Sequence, residues 1–314
     1  MSGSNPQAAV IRAYAQMHLA VVLYGFTAIL GDLITLSGTV LVWYRLLIAG
    51  LSFLLLPGMA AGLRRLRRAD WLRLGGIGLL MAVHWITFYE AIKYSNASIT
   101  LACLASTSFF TSIAEPLILR RPARMHELLL GVLVIAGFVF IFGFAGRQFA
   151  TGMVIALISA AVISVAGVLN KLVVDRYSTF TLSFVEFSGG WLLVSALLPL
   201  NFALFPEQRF LPQGWDLPLL LILSLACTTW AYTMTMNALR HVSAYTATLA
   251  INLEPVYGII LANLILNEGE ALDRGFYIGT GFILTAVFLH PVLSRLLSRR
   301  PDAKHPAAQQ PDAQ

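Results

Sequence analysis

Charge is what this sequence has least of. Asp, Glu, Lys and Arg supply 11% of its 314 residues, against about 25% in a soluble domain, so a water-soluble body is excluded. Cysteine is almost missing too. Cys103 and Cys227 both fall in apolar runs without metal-ligand spacing, which leaves neither a disulfide framework nor a zinc site. No Walker-type glycine loop occurs, so ATP hydrolysis does not supply the energy for whatever the chain does. The clusters Gly75-Gly76-Ile77-Gly78 and Ser188-Gly189-Gly190 lack the strand-turn-helix context of a phosphate loop and read as places where helices approach closely. The six histidines are scattered and no Asp-rich pattern is present. A membrane-embedded enzyme acting on lipid or isoprenoid substrates would need acids, His or Cys gathered at interface depth. That alternative is the weaker one. A sensor or assembly role would need a soluble module, and none is visible. No cofactor and no metal is expected.

What fills the chain is apolar: 58% hydrophobic residues and a mean hydropathy of +0.77 describe a polytopic membrane protein. Residues Met1 to Arg12 are too polar for a cleaved signal, so the first helix is expected to stay. A window of about 20 residues places spans at 14–35, 39–57, 72–92, 97–118, 126–145, 152–173, 180–200, 217–238, 244–266 and 275–294. The fold class expected is therefore all-α, with ten transmembrane helices. The segment 1–13 and the tail 298–314 flank them, the tail rich in Pro, Ala and Gln and expected to be disordered. The longest loop, Asn201 to Asp216, carries Phe, Pro and Trp and is expected at the headgroup surface.

The net charge of +6 does not point to nucleic acid, because the basic residues sit in short loops between apolar runs. With the N-terminus inside, sixteen Lys and Arg fall on the cytoplasmic side and four outside (Lys93, Arg147, Arg209 and Arg274). The positive-inside rule then puts both termini of a multi-pass plasma (inner) membrane protein in the cytoplasm.

Laying residue n on n + 147 matches Ala91-Ile-Lys-Tyr-Ser-Asn-Ala97 with Ala238-Leu-Arg-His-Val-Ser-Ala244, and Leu117-Ile-Leu119 with Leu264-Ile-Leu266. Each copy holds five spans, residues 14–145 and 152–295. An odd number makes the second copy enter from the opposite face, so the two are inverted repeats of the kind that support alternating access.

The run Ala244 to Glu268 organises the rest, because it holds Asn252-Leu-Glu254-Pro255 at membrane depth. An ionisable residue there marks a pathway or a pairing site. Pro255 cannot donate to the carbonyl of Ile251 and is expected to kink the helix. Glu254 reads either as a proton or substrate-amine site or as a locked carboxylate that fixes the kink. His84 either titrates during transport or is a neutral ring bonded to a neighbouring helix. Trp85, its repeat mate Tyr232, Phe88 and Tyr89 form either an aromatic wall or ordinary packing. Thr107, Asn170, Thr233, Asn237 and Asn252 would be costly facing lipid and are expected to give a cavity its polarity. Asp32 with Arg45, and Lys171 with Glu186, place charges of exchanged sign at corresponding hairpins and are expected to pair as two latches.

The Ala238 to Tyr245 run, Asn252-Leu-Glu-Pro-Val-Tyr257 and Asn267-Glu268, with ten spans and an inverted five-helix repeat, resemble the EamA-like transporters of the drug/metabolite transporter superfamily over roughly residues 14–295. The first copy departs from the pattern, with Thr107-Ser108 where the family often has Glu-Pro and its own Glu115-Pro116 eight residues later. The resemblance implies a central cavity between two bundles and export or uptake of small metabolites such as amino acids. Its partners would be a small-molecule substrate and the lipid bilayer, with a proton or an exchange substrate as coupling candidates. Oligomeric state, substrate and direction are not written in the residues.

Overall fold

The computed structural model describes residues 6–56, 59–120, 125–144, 147–239, 250–251 and 253–298. The expected tail and Asn252 lie outside them, as does most of the Ala238 to Ala244 junction. Among the described residues every regular element is helical. In chain order these are α1 (Pro6–Leu33), α2 (Gly38–Leu54), α3 (Met59–Arg64), α4 (Arg68–Tyr94), α5 (Ala97–Leu104), α6 (Thr107–Leu119), α7 (Met125–Phe144), α8 (Ala150–Val173), α9 (Thr179–Leu204), α10 (Asp216–Leu221), a π-helical stretch (Ile222–Trp230), α11 (Ala231–Leu239), α12 (Glu254–Ile265) and α13 (Arg274–Ser298). Among the described residues six helices are long and apolar enough to cross a membrane, beginning at Ile11, Arg68, Ala97, Ala150, Thr179 and Asp216, and the shorter apolar helices are Gly38–Leu54, Leu129–Gly143, Glu254–Ile265 and Arg274–Leu289.

Two expected spans differ in detail. The span at 97–118 breaks between α5 and α6. The Ser106 hydroxyl turns back to the carbonyl of Cys103 (2.6 Å) and that of Thr107 to Leu104 (2.7 Å), so local side-chain bonds take up carbonyls that the helix releases. Pro255, expected as a kink within the span 244–266, is found at the start of a helix. It lies in the first turn of α12, where a missing N–H removes no helical bond and a fixed φ suits the start.

Packing is densest where side chains are smallest. Helix α4 lies between α8 and α9, α2 packs on α9, α1 on α11 and α12, and α7 on α13. A Cβ on Gly78 would collide with the backbone carbonyl of Glu186, and one on Gly189 with the backbone of Gly75. Gly76, one residue on, meets nothing within 4 Å. It opens on a groove of about 570 Å³ between α4 and α8, rimmed by Arg73 and Arg176. Phe109 and Ile283 similarly press on Gly131 and Gly137 of α7, and the α1 and α12 backbones meet at Gly25 and Gly258.

Carboxylates close one end of the bundle. The side chain of Asp216, 2% exposed, accepts from the Thr35 amide (2.8 Å), the Thr35 hydroxyl (2.8 Å) and the Gln213 amide (3.1 Å), with Arg209 at 3.6 Å. Arg209 also donates to Gln213 and to Thr35. This clasp draws the long loop onto the protein, and Phe210 packs against both Trp43 and Tyr44 at 5.1 and 5.3 Å, while Trp215 stays exposed. Glu268 caps the start of α5, accepting from the amides of Ala97 (2.9 Å) and Ser98 (2.7 Å), beside the Asn96 cap on Ile99. The second half of the chain thus holds the first by two carboxylates.

Candidate functional site

A cavity of about 180 Å³ lies among α1, α2, α4, α8, the π stretch, α11 and α12. Five residues singled out in the sequence stand on its wall: His84, Trp85, Phe88, Tyr232 and Glu254. Arg45, expected in a latch, stands there as well, with Tyr24, Thr27 and Thr228, which the sequence reading passed over.

Arg45 is held on three sides. It is 3% exposed, its Nε donates to the Thr228 hydroxyl (2.8 Å) and its Nη1 to the Tyr89 hydroxyl (2.5 Å). Its guanidinium lies 4.1 Å from the centre of the Trp85 ring, a cation–π contact, with the Tyr89 ring at 5.7 Å. Thr228 can accept from Arg45 because its own hydrogen goes to the carbonyl of Leu223 (2.7 Å), five residues back. The next hydroxyl does the same, Thr229 to Ser224 (3.0 Å), so the π geometry turns two threonines toward α2, where Thr229 meets Ser52 at 2.8 Å.

The expected latches do not form. Asp32 is exposed and offers its backbone carbonyl to Lys93 (3.2 Å), while Arg45 is drawn into the bundle by neutral partners. Lys171, near the end of α8 and 60% exposed, pairs with Glu115 of α6 at 2.9 Å. Glu186 is fully buried behind Tyr232, whose hydroxyl lies 3.4 Å from its Oε2, and Oε1 finds no hydrogen-bond partner among the described residues. Reach explains this: a lysine near a helix end extends to a nearby acid, whereas a short carboxylate on a helix whose main chain is seated against α4 at Gly78 stays where that helix puts it.

His84 is tied to α8. Ser159 donates to the His84 carbonyl (2.8 Å), and Nδ1 lies 2.8 Å from the Ser159 hydroxyl and 3.2 Å from its carbonyl. With the serine hydrogen already used, these contacts are satisfied by a ring protonated at Nδ1. Trp85 meets Phe187 edge-on at 5.6 Å and Phe88 meets Tyr89 at 5.2 Å, so the aromatic wall is also packed into the bundle. Tyr24 shares a hydrogen bond of 3.0 Å with Thr235.

The remaining candidates stand off the cavity wall. Thr107 bonds Leu104 at the α5–α6 break and receives Ser164 on its carbonyl (2.9 Å). Asn170 lies beside Glu186 with its Oδ1 buried and without a hydrogen-bond partner among the described residues. Thr233 bonds back to Thr229 (2.7 Å), and Asn237 is half-buried on α11. Among the described residues no three His, Cys, Asp or Glu side chains gather as metal ligands.

The profile of the EamA-like transporter family matches twice, at residues 11–143 and 150–290. A protein of Haemophilus influenzae described as an uncharacterized transporter is 22% identical over 283 residues, 84% of this chain and 89% of its own. Another so described, from Clostridium kluyveri, is 26% identical over 224 residues, 68% of this chain and 69% of its own. A protein known from its crystal structure superposes with a TM-score of 0.61 at 18% identity, covering 91% of this chain and 98% of the other, a likeness of fold. With the family's profile matched along both halves of a bundle of apolar helices around a cavity that carries Arg45 and Glu254, this multi-pass membrane protein belongs to the EamA-like transporter family.

Proposed function

We propose that the protein is a secondary transporter that exports small metabolites such as amino acids by alternating access, with the central cavity between two inverted five-helix repeats, residues 14–145 and 152–295. The observation that carries this reading is the cavity's origin. Tyr24, Arg45 and Trp85 come from the first matched segment, and Cys227, Tyr232 and Glu254 from the second. Trp85 and Tyr232, mates at an offset of 147 residues, stand on the same wall. The distribution of Lys and Arg supports a plasma (inner) membrane protein with cytoplasmic termini. A cavity of about 180 Å³ is below the ~300 Å³ at which pockets for drug-sized ligands begin, which suits a small metabolite.

Glu254 is the residue through which a proton would be coupled, since among the described residues it is the carboxyl on the cavity wall. Purified protein in liposomes should exchange components of a mixed metabolite pool across the membrane without changing their chemistry. Glu254→Gln should insert and fold but lose pH-driven net transport, and Glu254→Ala should be worse because the amide of Gln retains hydrogen bonds. A pool altered in composition rather than in location would refute the transport reading. Equal transport by Glu254→Gln at every pH would refute the proton role.

A further inference from the structure

We propose that Arg45 is the receptor for a carboxylate on the transported molecule and that Glu254 receives its ammonium, so that the cavity selects small zwitterions and rejects amines that carry no acid. The inference deepens the transport reading and rests on it.

Arg45 is a buried cation with neutral partners. Thr228, Tyr89 and the Trp85 face hold it, and among the described residues it makes no ion pair. A buried charge is costly unless an opposite charge compensates it. Glu254 faces the same cavity, and the two form no ion pair. A guanidinium has five N–H donors, and Thr228 and Tyr89 take two of them. What remains is one N–H on Nη1 and two on Nη2, which between them offer a planar fork to the two oxygens of a carboxylate. Stacking on Trp85 and the two hydrogen bonds fix the fork before a ligand arrives, so little rotamer entropy is lost on binding.

The geometry assigns the two charged groups of the ligand and leaves its apolar remainder to Phe88, Leu104 and Ile163, apolar residues that line the same cavity. An α-amino acid with a compact apolar side chain has those three parts. A molecule with an ammonium but no carboxylate would satisfy Glu254 and leave Arg45 uncompensated. A molecule with a carboxylate but no amine would do the reverse.

Arg45 could instead be a strut that ties α2 to α4 and to the π stretch with no contact to substrate. Selectivity separates a strut from a receptor, because loss of a strut weakens every ligand alike. The test uses the full chain in liposomes, preloaded first with a mixed metabolite pool and then with leucine, and challenged with leucine, leucinamide and 4-methylpentanoate as competitors. Wild type should exchange leucine, and leucinamide and 4-methylpentanoate should each compete at least tenfold more weakly. Arg45→Gln should raise the KM for leucine at least tenfold while leaving competition by leucinamide within twofold. Arg45→Lys, which keeps the charge and loses the fork, should fall between.

The competition needs only the native protein, so it decides even where a variant fails to fold. Leucinamide competing as well as leucine would overturn the proposal. So would exchange confined to solutes without a carboxylate, or an Arg45→Gln protein that loses leucine and leucinamide in equal measure. Absence of any exchange from the mixed pool would overturn the transport reading itself, and the proposal with it.

Discussion

Three glycines within four residues on α4 make opposite demands. Gly78 faces the backbone of α9, where a Cβ would run into the carbonyl of Glu186, whereas a Cβ on Gly76 would meet nothing within 4 Å. Replacing glycine by alanine inside a helix gains about 0.8–1 kcal/mol of helix propensity in water, and that gain is common to both sites, so their difference isolates the clash. Its partner is main chain, which cannot turn aside as a side-chain tip would, and overpacking of this kind costs roughly 1–3 kcal/mol, at times more. Thermal unfolding of the detergent-solubilised protein should therefore rank Gly76→Ala at or slightly above the parent and Gly78→Ala below it by about that difference. The seam has a second, asymmetric reading: Gly189→Ala would press on the Gly75 backbone and should destabilise, while Gly75→Ala, which meets nothing within 4 Å, should be tolerated. Equal melting of Gly76→Ala and Gly78→Ala would refute the view that α4 and α9 touch through their backbones.

The clasp at Asp216 should behave as a buried acceptor: Asp216→Ala leaves the amides of Thr35 and Gln213 without their partner and should cost about 1–3 kcal/mol per unsatisfied donor in an unfolding assay, with Asp216→Asn in between. Retention of the parent's melting temperature by Asp216→Ala would show that the loop is held by its rings alone. Lys171 and Glu186 should not rescue one another. Lys171→Glu combined with Glu186→Lys should melt no higher than Glu186→Lys alone, because Lys171 pairs with Glu115 and the Glu186 site is fully enclosed; recovery in the double variant would restore the latch. Loss of the exposed Lys171–Glu115 pair by Lys171→Ala should cost under about 1 kcal/mol in the same assay.

Apolar runs and turn residues made most helices legible from the sequence, because a backbone in hydrocarbon has few alternatives to a helix. The break between α5 and α6 was not, since Leu104 to Thr107 contains neither proline nor glycine and the hydroxyls that ease it are ordinary helix residues in a membrane. Pro255 is ambiguous in a different way: in one dimension a proline amid apolar residues is the same signal whether it bends a helix or begins one, and here it stands in the first turn of α12. Around the cavity, His84, Trp85, Phe88, Tyr232 and Glu254 stood out because polar and aromatic groups are conspicuous in such runs. Arg45 was visible as an anomaly but was given the wrong company. Its hydroxyl partners are neutral and lie 44 and 183 residues away, and a search for opposite charges passes over them.

The π-helical stretch makes the wall of the cavity sensitive to chain length as well as to side-chain identity. Its turns reach five residues back, as the hydroxyls of Thr228 and Thr229 do, and removing one residue from such a turn leaves an ordinary α turn. A one-residue deletion between Ile222 and Trp230 is thus absorbed without breaking the helix, because about five π residues and about four α residues turn through nearly the same angle: the flanking segments keep their facing and the side chains inside the stretch are redistributed. Thr228 would then lose its bond to Leu223 and its place beside Arg45, while Tyr232 and Thr235 keep Glu186 and Tyr24. Insertions and deletions are usually confined to loops. Here one of them, placed in mid-membrane, is a route by which a transporter of this fold could exchange one set of cavity contacts for another in a single mutational step.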